Sequence, residues 1–127
     1  MRTNALLITL ILLLACGCQS PDDKSGQVVH HVFFWLKNSG SESDKQKLME
    51  GLETLREIPE VKELMIGGPA STLEREVVDS SFDVSELMIF RSVKDQDAYQ
   101  VHSLHQEFID NYGHLWEKVV VYDVLVE

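Results

Sequence analysis

The chain has 127 residues, enough for one domain and a short leader. With 21 Asp and Glu against 11 Lys and Arg, its net charge is −10, which excludes the clustered basic surface of a nucleic-acid-binding protein and charge-driven docking on anionic lipid. Its two cysteines, Cys16 and Cys18, both precede the domain, so the domain has neither a disulfide framework nor a thiolate metal site and must hold by packing.

Arg2 makes a short positive start, and Ala5 to Ala15 is an apolar run broken only by Thr9. That run is shorter than the roughly 20 residues a membrane span needs, so residues 1–15 read as an export signal. Leu13-Leu14-Ala15-Cys16 resembles a bacterial lipobox, with a small residue before the cysteine that would become the lipid-modified first mature residue. Cys18 is the alternative site. Residues 16–26 are then the lipidated cysteine and a polar, Pro- and Gly-containing tether, and 27–127 the domain. The expected location is a bacterial membrane, facing the periplasm or exterior.

Val28 to Leu36 is rich in β-branched and aromatic residues and predicts a strand. Ser43-Asp44-Lys45-Gln46 has the form of a capping box opening a helix, with Leu48, Met49, Leu52 and Leu55 as its apolar stripe and Pro59 as its stop. Val61 to Ile66 predicts a second strand, ended by Gly67-Gly68-Pro69, and residues 70–79 a loop. Ser85 to Arg91 predicts a third strand, and Ser92 caps a short helix with Asp95 in its first turn. Ser103-Leu104-His105-Gln106 opens another helix, to about Tyr112, and Val119 to Val126 is the last strand.

The order β-α-β-β-α-β predicts a ferredoxin-like α+β domain, one antiparallel sheet with helices on one face. The wet face of such a sheet should be polar. In the first strand, however, Val32, Phe34 and Leu36 share one face while Val29, Phe33 and Trp35 share the other. In the last, Val119, Val121 and Leu125 oppose Val120, Tyr122 and Val124. The second apolar face needs a cover. A second copy of the sheet would supply it as a homodimer with a barrel-like core; the alternative is a loop such as 70–84 folding over it.

Three segments carry a resemblance to a family: His30 to Lys37, Tyr99 to His105, and His114 to Asp123. Together they resemble the stress-responsive A/B barrel (Dabb) family across nearly all of Val28–Val126. The resemblance implies a dimeric α+β barrel. Many members have no assigned activity, and one is a polyketide cyclase that works with a Tyr, a His and no cofactor. The resemblance places that catalytic pair at Tyr99 and His105, and the family's strand-one histidine at His30. A further active-site histidine of the cyclase falls near Val84, and Ser103 stands where the family often has Pro. A pocket that has lost that histidine should favour a small apolar ligand.

Tyr99 and His105 flank the break at Ser103, so both could face one cleft as an acid–base pair; the structural alternative is an anchoring tyrosine and a hydrogen-bonded histidine. His30 and His102 are the further pocket candidates, although His30, sharing its face with Val32 and Phe34, reads first as a satisfied core histidine. His102 and His105 are spaced i,i+3, but no third ligand accompanies them, so no metal and no cofactor is expected. The expected function is a membrane-anchored, dimeric small-molecule-binding or structural module. The alternative is a cofactor-free enzyme of cyclase, lyase or isomerase type using Tyr99 and His105.

Overall fold

The computed structural model describes residues 23–127. The expected export signal, Cys16, Cys18 and most of the tether lie outside the described residues. Strand β1 covers Val28–Leu36, as its composition predicts, and alternates strictly: even-numbered side chains are buried and odd-numbered ones partly exposed. It lies between β3 (Val84–Phe90) and β4 (Trp116–Leu125), while β2 (Glu63–Gly67) adds to the far side of β3. The sheet order is β2-β3-β1-β4, antiparallel throughout. Helices α1 (Glu42–Thr54), α2 (Val93–Gln100) and α3 (Ser103–Tyr112) complete the ferredoxin-like α+β fold, α2 and α3 together forming its second helical connection.

The helix starts differ from the sequence expectation in an instructive way. Ser41, not Ser43, caps α1: its Oγ accepts the Asp44 N–H at 3.2 Å, which brings Glu42 and Asp44 into the first turn, where helix-dipole and acidic charge attract. His102, not Ser103, caps α3, with its Nδ1 accepting the Leu104 N–H at 3.2 Å. Ser92 caps α2 as expected. Strand β2 starts two residues late because the Val61 N–H closes a turn onto the Ile58 carbonyl. Strand β4 starts three residues early because Trp116 pairs with Leu36 across a register shift.

Beneath α1 the core is sealed. Leu48, Leu52, Leu55 and Ile58 are fully buried, packed in one cluster with Leu64, Met88 and Phe90. Gly51 lets α3 approach: a Cβ there would lie 2.6 Å from the Tyr112 ring. Just before β1 the Gly26 N–H donates to the carbonyl of Val126, the residue after β4, at 2.8 Å, tying the two ends of the described chain together.

The opposite face of the sheet carries Val29, Phe33, Leu87, Ile89, Val120 and Tyr122. The 68–83 loop covers one end of it: Phe82 packs edge-on against Phe33 at 4.9 Å, and Ser81 Oγ accepts the Trp35 Nε1–H at 3.0 Å. The rest is open, with Met65, Tyr122 and Val124 each more than half exposed.

Candidate functional site

Between the helices and the β1–β4 side of the sheet lies a cavity of about 180 Å³. Most of its wall is apolar, from Val32, Phe34, Phe108 and Trp116 among others, and three ionisable side chains line it: His30, Glu86 and His105. Ile109, Val119 and Val121 stand at its rim, 41%, 44% and 44% exposed, so the cavity is open to solvent.

Each polar group arrives by strand or helix register. His30 points inward because even-numbered residues of β1 do. Its partner across β4 is Asp123, and the His30 Nδ1–H donates to Asp123 Oδ1 at 2.5 Å. A carboxylate can only accept, so this bond fixes which ring nitrogen carries the proton and orients the imidazole. His105 sits in the first turn of α3, and its Nδ1 lies 3.1 Å from the Gln100 carbonyl at the end of α2. A carbonyl also only accepts, so Nδ1 carries the proton there. Burial holds the His105 pKa below its ordinary value, against the opposing pull of the Gln100 carbonyl and with some help from His30. At neutral pH His105 is therefore neutral, with a lone pair on Nε2: a base.

Tyr99 is 1% exposed and lies against both histidines, 4.6 Å from the His105 ring centroid and 5.8 Å from that of His30. Burial first, and then the neighbouring Glu86 charge, push its hydroxyl pKa upward, so it remains a proton donor.

Glu86 is the group that sequence reasoning missed. It is 3% exposed, and its Oε2 is buried with no hydrogen-bond partner. Burial raises its pKa to about 8, so at neutral pH it is mostly the neutral acid, a hydrogen-bond donor. The signal was present in the alternation of β3: Val84, Glu86, Met88 and Phe90 all point inward, and a charged residue stands in an otherwise apolar phase. Asp123 breaks the phase of Val119, Val121 and Leu125 in the same way.

The structure thus brings Tyr99, His105 and His30 together and adds Glu86 and Asp123; His30, His105 and Glu86 line the cavity, while Tyr99 and Asp123 touch the histidines without being among its lining residues. It does not bring in His102. That ring is spent on the α3 cap, and it is not among the cavity's walls. Val84 is buried on the inward face of β3, and Glu86 two residues later places a polar group in the cavity. Among the described residues, no group of three or more His, Cys, Asp or Glu is arranged to hold a metal ion.

The sequence model of the Stress responsive A/B Barrel Domain, Dabb, matches residues 28–126. The chain belongs to the Dabb family. Solved structures share the fold of this Dabb domain. A dimeric ferredoxin-like protein of unknown function from Thermobifida fusca superposes with a TM-score of 0.64 at 16% identity, covering 80% of this chain and 92% of its own. A Dabb family protein with a ferredoxin-like fold from Mesorhizobium loti gives 0.66 at 18% identity, covering 81% and 99%. Hydroxynitrile lyase from Passiflora edulis gives 0.66 at 24% identity, covering 80% and 94%. Comparison with curated proteins finds no match.

Proposed function

We propose that this Dabb domain binds a small molecule in the cavity between α2, α3 and the sheet, as one protomer of a homodimer held on a bacterial membrane by lipid on Cys16. The observation that carries the reading is the cavity itself: an open, mostly apolar hollow with His30, Glu86 and His105 in its wall. A purely structural module would gain stability by filling it. The volume is below the roughly 300 Å³ at which drug-sized pockets begin, so the ligand is about one ring in size.

The homodimer rests on the open apolar face of the sheet and on the dimeric state given for the Thermobifida fusca protein. Leu87→Lys would place an unpaired charge on that face, so sedimentation should show dimers for the unchanged protein and monomers for the variant. A monomer for the unchanged protein would remove the second sheet. The anchor rests on Leu13-Leu14-Ala15-Cys16. Mass spectrometry of membrane-extracted protein should find acyl mass on Cys16, and acylation lost with Cys18→Ser but not Cys16→Ser would move the site.

The binding test is an NMR titration of the full chain in detergent micelles with α-methylstyrene or acetophenone, both single-ring molecules. Shifts confined to residues around the cavity support the reading; no saturable shift there refutes it. A second reading, acid–base catalysis without a cofactor, is favoured by one observation: the Gln100 bond leaves His105 Nε2 free as a base beside Tyr99. The Passiflora edulis neighbour is an enzyme on the same fold. Exchange of the acetophenone methyl protons with D2O, accelerated by the protein and lost in His105→Gln, would establish this chemistry. Exchange no faster than buffer would leave binding alone.

A further inference from the structure

We infer that Glu86 is the specificity-determining group of the cavity, a hydrogen-bond donor that selects a small neutral ligand carrying an oxygen acceptor over an isosteric hydrocarbon and over ions. The inference rests on the pocket reading and deepens it. Glu86 stands on a central strand, with Val32 beside it on β1 and Ile66 on β2. Neither neighbour can hydrogen-bond its carboxyl. Its Oε2 is buried without a partner, although the side chain lines the cavity. A buried carboxyl oxygen without a partner costs stability, and native proteins leave few such groups. A ligand oxygen entering the cavity would supply the missing bond.

The charge of the ligand follows from the surroundings. No lysine or arginine is among the residues lining the cavity, so an anion meets no counter-charge. A cation would need Glu86 ionised among apolar walls and beside two imidazoles, at the desolvation cost of a buried ion pair. A neutral carbonyl has neither difficulty. It accepts from the Glu86 carboxyl and leaves His105 Nε2 free to meet a hydroxyl or an acidic C–H of the same molecule. The family resemblance pointed toward a small, largely apolar ligand because Val84 lacks a polar group; Glu86 adds an oxygen acceptor to that expectation.

Acetophenone and α-methylstyrene differ only by C=O in place of C=CH2, so their affinity ratio isolates the acceptor. The full chain in micelles, with empty micelles as reference, is titrated with each, and with benzoate and benzylammonium as the ionic probes. At about pH 6 the ketone should bind about tenfold more tightly than the hydrocarbon, the worth of one buried hydrogen bond. Glu86→Val should abolish the preference, while Glu86→Gln, whose amide still donates, should keep it. Raising the pH to about 10 should abolish it in the unchanged protein, because a carboxylate cannot donate, and not in Glu86→Gln. The other titratable groups facing Glu86 are His30 from β1, Tyr99 from α2 and His105 from α3, with Asp123 of β4 behind His30. All four are retained in Glu86→Gln, so that variant separates their titration from that of Glu86. Equal affinity for the two isosteres, with shifts at the cavity, would overturn the role of Glu86 and leave the pocket standing. No binding of either would overturn both. Tightest binding of benzylammonium or benzoate would overturn the neutral-ligand assignment.

Discussion

The half of the sheet beneath α1 and the half beneath α2 and α3 share two central strands, yet the first has a filled core, with an open groove along its outer α1–β2 edge, and the second is hollow inside. Under α1, leucine and isoleucine side chains from the helix and the turn after it meet β2 and β3 with nothing exposed. Under α2 and α3, the same inward register delivers His30 and Glu86, with Asp123 paired to His30, and the helices leave room above His30 and Glu86. The contrast separates what holds this domain together from what it can bind. The fully buried leucines belong to the filled half, and the unpartnered Glu86 carboxyl that lines a cavity, with the two histidines beside it, belongs to the other.

The strongest way to break this contrast is to truncate each half. Leu52→Ala should cost about 2–5 kcal/mol, the range for a fully buried leucine that leaves a cavity. Val121→Ala, at the rim of the hollow half, should cost less than about 1 kcal/mol. Urea denaturation of both variants measures this, and comparable losses would show that the two halves pack alike.

The next effect has the opposite sign. Glu86 has a folded-state pKa of about 8 against an ordinary 4.5. Between those values the folded state holds a proton that the unfolded state has released, so stability falls as pH rises through that window. Glu86→Leu should therefore stabilise the domain at pH 7, by on the order of 3 kcal/mol from this linkage. Most of that gain should fade as the pH is lowered toward about 4.5. Melting curves at several pH values test it, and a loss of stability at pH 7 would mean Glu86 has a partner.

The smallest effect belongs to His105. Burial lowers its folded pKa, so the folded state resists a proton that the unfolded state accepts, and stability should fall as pH drops below about 6.5. His105→Gln should flatten that slope. A remainder belongs to His31, which burial and His30 also hold low. A slope unchanged by the substitution would place His105 in water rather than in the hollow half.

Much of the filled half was legible in the sequence. The β-branched run of Val28 to Leu36, the Leu48, Leu52 and Leu55 stripe and the stop at Pro59 each follow from local chemistry, and the strand order from their succession. Helix starts were less legible because Ser41 and Ser43 are both plausible caps, and the geometry of the turn from Asn38 decides between them. In the hollow half, Tyr99 and His105 were legible as a pair because the family resemblance placed them together and they flank the break where two residues, Val101 and His102, part α2 from α3. His102 misled because a histidine can cap a helix as a serine does, a use that spacing does not reveal. Glu86 and Asp123 were hidden by the strands' dominant apolar composition, which masks a single charged residue in the inward phase.

The central claim is that the hollow half keeps a carboxyl group out of water and available to a ligand. The most direct measurement is the chemical shift of the Glu86 carboxyl carbon, followed by NMR from about pH 3 to pH 10 in the full chain. The account predicts a midpoint near pH 8, unchanged in Val121→Ala, which alters only the rim. A midpoint near the ordinary 4.5 would mean that Glu86 is hydrated and ionised at neutral pH, and would contradict the account.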